Sequence, residues 1–506
     1  MRLAIYSLIA AGTILLLNTG FAQVFPGEGD VVNYRLTGIT APEDPKASAY
    51  LFEIAEYNVS ESGEVVTKDI ISKISATNRT IVMLPEFDKG YAWRVSYLND
   101  KNKAKQRSPY YHFRTGKYPT IDTNQFRLKI IDSATDYDDM YVILDFISVI
   151  YDLKGNPVWY LPDIALVKDK NLQMRDLKPT KDNTFTATTN FGAFEMNYNG
   201  KLLWKAPNDG KVNGDTMEYY HHEFTKLDNG NYMVASLEYV MRRVPDWVKI
   251  KPETVTKDHL ELRDGHYYKK ITAGNLIEYN SKKEVVWYWK STDHFTDDDF
   301  FRKRVLNGFN TDMHLNAFDF DEKNKVIYMS FRNTNEIVKV AYPSGKILNR
   351  YGDIWTDDST LSDKRLFYGQ HCIRKEADGR LYLFNNNSNP MLLQSGPERM
   401  KAVSQVTILE EDSSKGGLKK VWEFACDIDT FAEAHGGAGG SVELLPDNCI
   451  LVSMGSASRI FIVSPDKKIK WNVLPQNGDN NNNWYPLGQY RVTFISRKDL
   501  EKFIFK

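Results

Sequence analysis

Three histidines of this chain stand at strand entrances in a repeated pattern. YHHEFTKLDNGNYMVASLE (220–238) carries His222 eight residues before Gly230, and YGQHCIRKEADGRLYLFNNN (368–387) carries His371 eight residues before Gly379. In MHLNAFDFDEKNKVIYMSFRN (313–333) His314 opens the same kind of strand. The same count of eight back from Asn183 reaches Arg175, and from Asn448 it reaches Gly440, inside HGGAGGS. Arg332 ends the strand that follows His314, so a hairpin returns it towards that histidine. Asn316, two residues past His314, shares its face if the strand keeps a period of two. Asn387 ends the strand that follows His371 and approaches the same place.

A neutral imidazole serves as nucleophile, general acid or base, or metal ligand. An arginine beside the imidazoles disfavours a bare cation site, because guanidinium does not deprotonate. Its planar fork suits a tetrahedral oxyanion, so phosphate or sulfate esters fit. Histidine then takes the transferred group and arginine stabilises the charge on its oxygens. Neither GxxxxGK[ST] nor GxGxxG occurs, which leaves no nucleotide-cofactor motif. Two other readings stand beside this one: a metal-dependent lyase or hydrolase with three axial histidines, and a non-catalytic binding scaffold. His112, His221, His259, His266 and His294 occupy no repeated position and read as structural; His221, adjacent to His222, points to the opposite face if the strand is regular. His435 lies near Gly440 and is a candidate for the same mouth.

The elements that position these residues are strands. Residues 31–116 hold short alternating stretches separated by polar turns, which predict a small β-sandwich over 23–117. From Phe126 a unit recurs: a strand, a turn, a second strand, then a hydrophobic–turn–Lys–hydrophobic–Trp piece. That piece appears as YDLKGNPVWY, MNYNGKLLWK, YNSKKEVVWYW, AYPSGKILNRY, SSKGGLKKVWEF and SPDKKIKWNV. Six copies with four strands each predict an all-β, six-bladed β-propeller over 118–506, closed by QYRVTFISR (489–497). In that geometry the first strand of every blade lines the central channel, so strand entrances ring one mouth. Helix is expected only in insertions such as WTDDSTLSDKRLF (355–367).

Composition narrows the class of protein. The 65 Lys+Arg against 66 Asp+Glu leave no electrostatic footprint for nucleic acid. Aromatic residues make up 13% of the chain, as pleated, half-buried surfaces favour. Residues 1–22 read as a signal peptide: Arg2, an apolar run Leu3–Leu17, and Gly20 and Ala22 at −3 and −1 of a cut before Gln23. Export to a periplasm follows, and no later segment is apolar enough to span a membrane. An oxidising compartment permits a Cys426–Cys449 disulfide with Cys372 free; three buried thiols are the equal alternative.

HHEFTKLDNGNYMVAS, MHLNAFDFDEKNKVIYMSFRNTNEIVKV, GQHCIRKEADGRLYLFNNN and GSVELLPDNCILVS resemble, in order, the blade motifs of bacterial arylsulfotransferases. The H-x-N followed by an arginine eighteen residues after the histidine (His314, Asn316, Arg332) carries the likeness best. The resemblance implies a ping-pong transfer of a sulfuryl group from a phenolic sulfate ester to a phenol, without a nucleotide donor or other cofactor. It implies that His371 is transiently sulfated and that His222, His314 and Arg332 hold the sulfuryl oxygens and assist proton transfer. Arg175 and Asn387 come from the register count alone. The partners it implies are small phenolic molecules, and it leaves a homodimer open. The chain departs from the pattern in its short interdomain link, its 240–275 insertion and its cysteine spacing, which leaves acceptor preference open.

Overall fold

The computed structural model describes residues 24–506 except 60–64, 135, 163–172, 258, 302–303, 306–307, 310–311, 353–365, 389–402, 413–415 and 432. The signal-peptide stretch and most of the 355–367 insertion therefore lie outside the described residues. The chain divides into two compact units. The first takes in residues up to Val32 and Thr37–Thr115. Its main sheet centres on Ala49–Val59, flanked by Val65–Ser75 and Gly90–Leu98, with Tyr111–Thr115 and Asp30–Val32 beyond. Phe52, Ile54, Trp93 and Val95 bury one face of it.

The second unit contains Asn33–Leu36 and Gly116–Lys506. Its repeated sequence unit folds into a repeated sheet. Among the described residues, six larger antiparallel sheets follow one another, each built around four strands in meander order. The hydrophobic–turn–Lys–hydrophobic–Trp pieces are the hairpins between third and fourth strands, for example Gly192–Met196 with Leu202–Lys205 and Ile460–Val463 with Ile469–Gly478. Middle strands such as Phe185–Thr189 and Ile450–Ser453 are buried at every residue, while the outermost strand Val285–Lys290 alternates towards solvent. Burial on both faces accounts for near-continuous apolar runs in the middle strands. Apolar clusters join neighbouring sheets: Ala317, Tyr328 and Ile337 with Ile373, Leu381 and Leu383, and Phe384 and Val406 with Val442, Ile450 and Phe461.

The repeated tryptophan has a defined task. Each of several fourth-strand indoles donates to the third–fourth turn of the next sheet: Trp159 to Tyr198 O (2.7 Å), Trp289 to Gly345 O (3.0 Å) and Trp422 to Pro465 O (3.0 Å). Trp471 of the sixth sheet donates to Leu153 O of the first, at 2.9 Å. The C-terminal strand Val492–Ser496 is an edge strand of that first sheet, pairing with Met140–Leu144.

Neighbouring sheets are stitched to one another, mostly by acidic side chains on or beside their inner strands. Asp145 accepts the N–H of Asp176, Asp176 that of Phe224, and Glu223 that of Phe318. Asp319 accepts from Lys375, the Cys372 thiol donates to Val442 O, and Glu443 accepts from Phe494. The contacts run from first sheet to sixth and back to the first. They hold the six strand entrances at fixed spacing, and those entrances carry the candidate site. Cys372, Cys426 and Cys449 are all free and buried, so the structure contains three separate thiols rather than a Cys426–Cys449 bridge.

A candidate active site of histidines and arginine

At the strand entrances the backbone departs from regular pleating. Pairing shifts register between Arg175 and Lys178, Tyr220 and Phe224, Leu315 and Ala317, and His371 and Arg374. Asp176, His222, His314 and Cys372 there adopt left-handed φ of 55–60°. Bulges of this kind re-aim side chains, and non-glycine residues at positive φ are strained.

The bulges bring His222, His314, His371, Arg332 and Arg175 around one cavity of about 350 Å³, together with Phe146, Tyr490 and the backbone of Ala438–Gly439. The His222 and His314 rings lie 4.9 Å apart, centre to centre. The Tyr490 ring lies 5.3 Å from that of His222 and 6.0 Å from that of His371. Arg332 returns as the hairpin requires, its N–H donating to His314 O at 2.9 Å. Its guanidinium donates to Asn333 Oδ1 (2.9 Å) and Gly437 O (3.0 Å). Both partners are neutral, so the positive charge is available to an anion in the cavity. Arg175 donates to Asn190 Oδ1 at 2.8 Å.

Each histidine has its own electrostatic setting. Burial, and next the Arg332 charge, holds His371 well below the ordinary imidazole range. His222 is likewise held well below it by burial and by His221, His314 and Arg175. Both rings are therefore neutral at pH 7. His314 differs in that its Nδ1 faces Asp312 Oδ2 at 2.9 Å. Burial acts to raise the Asp312 carboxyl, but the hydrogen bond and charge of His314 outweigh it and the net shift is downward. His371 Nδ1 instead faces Asn386 Oδ1 at 2.6 Å and Gly369 O at 3.1 Å. Among the described residues, no group of three or more His, Cys, Asp or Glu side chains is arranged to hold a metal ion.

Two expected residues lie elsewhere. Asn316 is fully buried and donates to Gln370 O at 2.7 Å, outside the cavity lining. The bulge after His314 breaks the period of two that placed both side chains on one face. Asn387 donates to Val403 O, and its neighbour Asn386 meets His371. His221 was expected on the opposite face from His222, yet the two Nδ1 atoms are in contact, because His222 is left-handed. Burial pushes His221 down to about 3. Gly440 has φ 113°, and a Cβ there would come within 2.2 Å of the Phe384 ring. His435 is not among the cavity residues. The count from turn residues could not reach Asp312, Asn386, Phe146 or Tyr490, since none occupies the repeated position.

Imidazoles and a guanidinium around one cavity, on an all-β frame, define a site suited to transferring an anionic group. A family model described as Arylsulfotransferase (ASST) matches residues 132–472, well over half of the chain. The chain belongs to the arylsulfotransferase family. No curated protein matches it. Among solved structures it is similar to a protein of unknown function from Bacteroides caccae, at 11% identity, covering 71% of this chain and 99% of that one, with a TM-score of 0.39. It is also similar to virginiamycin B lyase from Staphylococcus aureus, at 12% identity, 72% and 89% coverage and a TM-score of 0.33.

Proposed function

We propose that this chain moves a sulfuryl group from a phenolic sulfate ester to a phenolic acceptor by a ping-pong mechanism through a sulfohistidine at His371. The observation that carries the reading is the convergence of three imidazoles with a guanidinium held by neutral oxygens in one cavity. In the first half-reaction the lone pair of His371 attacks sulfur and the S–O(aryl) bond breaks. Its electron pair passes to the phenolic oxygen, which takes a proton from His314. In the second, neutral His314 takes the proton of the incoming phenol and its oxygen attacks sulfur. The S–N bond then breaks, returning its pair to His371. The proton that His314 gives in the first half-reaction it regains in the second, beside the Asp312 carboxylate. Arg332 and His222 face the sulfuryl oxygens, where pre-placed charge stabilises the transition state.

The frame we propose for this chemistry is a six-bladed β-propeller preceded by an N-terminal β-sandwich domain, exported to the periplasm by the 1–22 segment. The ordered inter-sheet contacts that lead from the sixth sheet back to the first support the closed propeller.

Incubation with 4-nitrophenyl sulfate, with and without added phenol, tests the function. Nitrophenol release is expected to depend on the phenol, and His371→Ala to abolish it. Sustained release in water alone would mark a hydrolase instead. Tightly bound metal with chelator-sensitive turnover would overturn the covalent-histidine route.

A further inference from the structure

The glycine-rich HGGAGGS segment beside the histidines has a role that sulfuryl chemistry alone does not assign. Asn386 is fully buried, and its amide nitrogen donates to two of that segment's backbone carbonyls, Gly436 O at 2.5 Å and Gly439 O at 2.9 Å. Both amide hydrogens are thereby used, and turning the amide over would aim its oxygen at two carbonyl oxygens. Asn386 Oδ1 must therefore be the atom that faces His371 Nδ1. Gly369 O, also a pure acceptor, faces the same nitrogen. Two acceptors at Nδ1 require a proton there, and a neutral ring then carries its lone pair on Nε2. The glycines permit this approach: a Cβ on Gly436 would lie 2.2 Å from Met454 O, and Gly439 has φ 69°.

We propose that Asn386, clamped by the Gly436 and Gly439 carbonyls, is a positioning residue that fixes His371 in the Nδ1–H tautomer and makes Nε2 the sulfur-accepting atom. The proposal rests on the transfer reading above for its chemistry. The bond formed in the first half-reaction is Nε2–S, with Nδ1–H retained. In the intermediate the ring is then an N-sulfo imidazolium, which departs in the second half-reaction as neutral imidazole. Without the Nδ1 proton it would have to depart as an imidazolate, a far poorer leaving group. A neutral amide suits this task, because a carboxylate at the same position would favour the doubly protonated ring, which has no lone pair to attack with.

The test uses the full chain with ¹⁵N-labelled histidine and the variants Asn386→Leu and Asn386→Asp. Arg332 and His314 of the fourth sheet, His222 of the third, Arg175 of the second, and Tyr490 and Arg491 before the C-terminal strand are the charged and titratable groups facing His371. The wild-type His371 signals, identified by their loss in His371→Ala, are expected to show a protonated Nδ1 and an unprotonated Nε2 at pH 7. Asn386→Leu should lose that pattern and slow the single-turnover release of nitrophenol by about 10²-fold or more, as loss of a tautomer-fixing partner does. Asn386→Asp should keep Nδ1–H and move the acid limb of that release to higher pH by about one unit or more, as a carboxylate beside an imidazole does. An Nε2–H tautomer in the wild type, or an unchanged release rate and tautomer in a folded Asn386→Leu, would overturn the proposal. Absence of any nitrophenol release from the wild type would sink the transfer reading, while the tautomer measurement would still decide the role of Asn386.

Discussion

His371 and His314 line the same cavity, and each has Nδ1 anchored by an oxygen, yet the two oxygens differ in charge. Asn386 offers His371 a neutral amide; Asp312 offers His314 a carboxylate. His371 is 2% exposed and held well below the ordinary imidazole range, as the nucleophile proposed above requires. His314 has a carboxylate beside its Nδ1, which suits the proton-transfer role proposed for it. In the proposed transfer one ring type thus takes two roles from the difference between an amide and a carboxylate partner, which is how neighbouring titratable groups divide acid and base work.

The largest effect should separate the two rings outright. His371→Ala should release no phenol from any aryl sulfate, whereas His314→Ala should keep the single-turnover release of nitrophenol from 4-nitrophenyl sulfate, whose phenolate leaves without protonation. With unsubstituted phenyl sulfate the latter variant should lose about 10²–10⁴-fold, the usual share of general acid–base catalysis. Equal losses on both esters would break the division of labour. Arg332→Met should lower turnover by about 10²–10³-fold on both esters, because the charge it stabilises is on the sulfuryl group. Asp312→Asn should be milder, about 10-fold, and graded: the loss should grow as the leaving phenol becomes less acidic, measured across a series of substituted esters.

The smallest effect is on stability against pH. His371 and His221 are buried as neutral rings with pKa values held below their unfolded value near 6.5. Below that pH the unfolded chain binds protons that the folded chain refuses. Their contribution is complete above about pH 6.5 and is lost as pH falls, by up to about 1.4 kcal/mol per unit for each ring. Asp312 is a depressed carboxyl, so its contribution survives until pH falls to the carboxylate range. Thermal melts from pH 7.5 to 4 should therefore soften first between pH 6.5 and 5. His221→Leu should flatten that segment and Asp312→Asn should leave it unchanged.

Much of this site was legible in the sequence, and the misses have one physical origin. A constant distance of eight residues to a turn survives folding, because the hairpin closes the same way in each repeat; it picks out Arg175, His222 and His371 among the residues around the cavity. Parity along a strand does not survive a bulge, so Asn316 was expected in the cavity and His221 away from His222. In the run Asn385–Asn387 nothing in the letters distinguishes the residue that meets His371 from its neighbours. Asp312 and Tyr490 stand outside the repeat pattern altogether.

By itself the sequence determined the repeated four-strand unit, the tryptophan that recurs in it, and the family to which the motifs point. These are local properties, set by side-chain period and turn chemistry. The tertiary structure alone decided which oxygen faces which histidine. That choice depends on left-handed residues at the strand entrances and on a glycine segment, fifty residues on in the chain, whose carbonyls orient one amide.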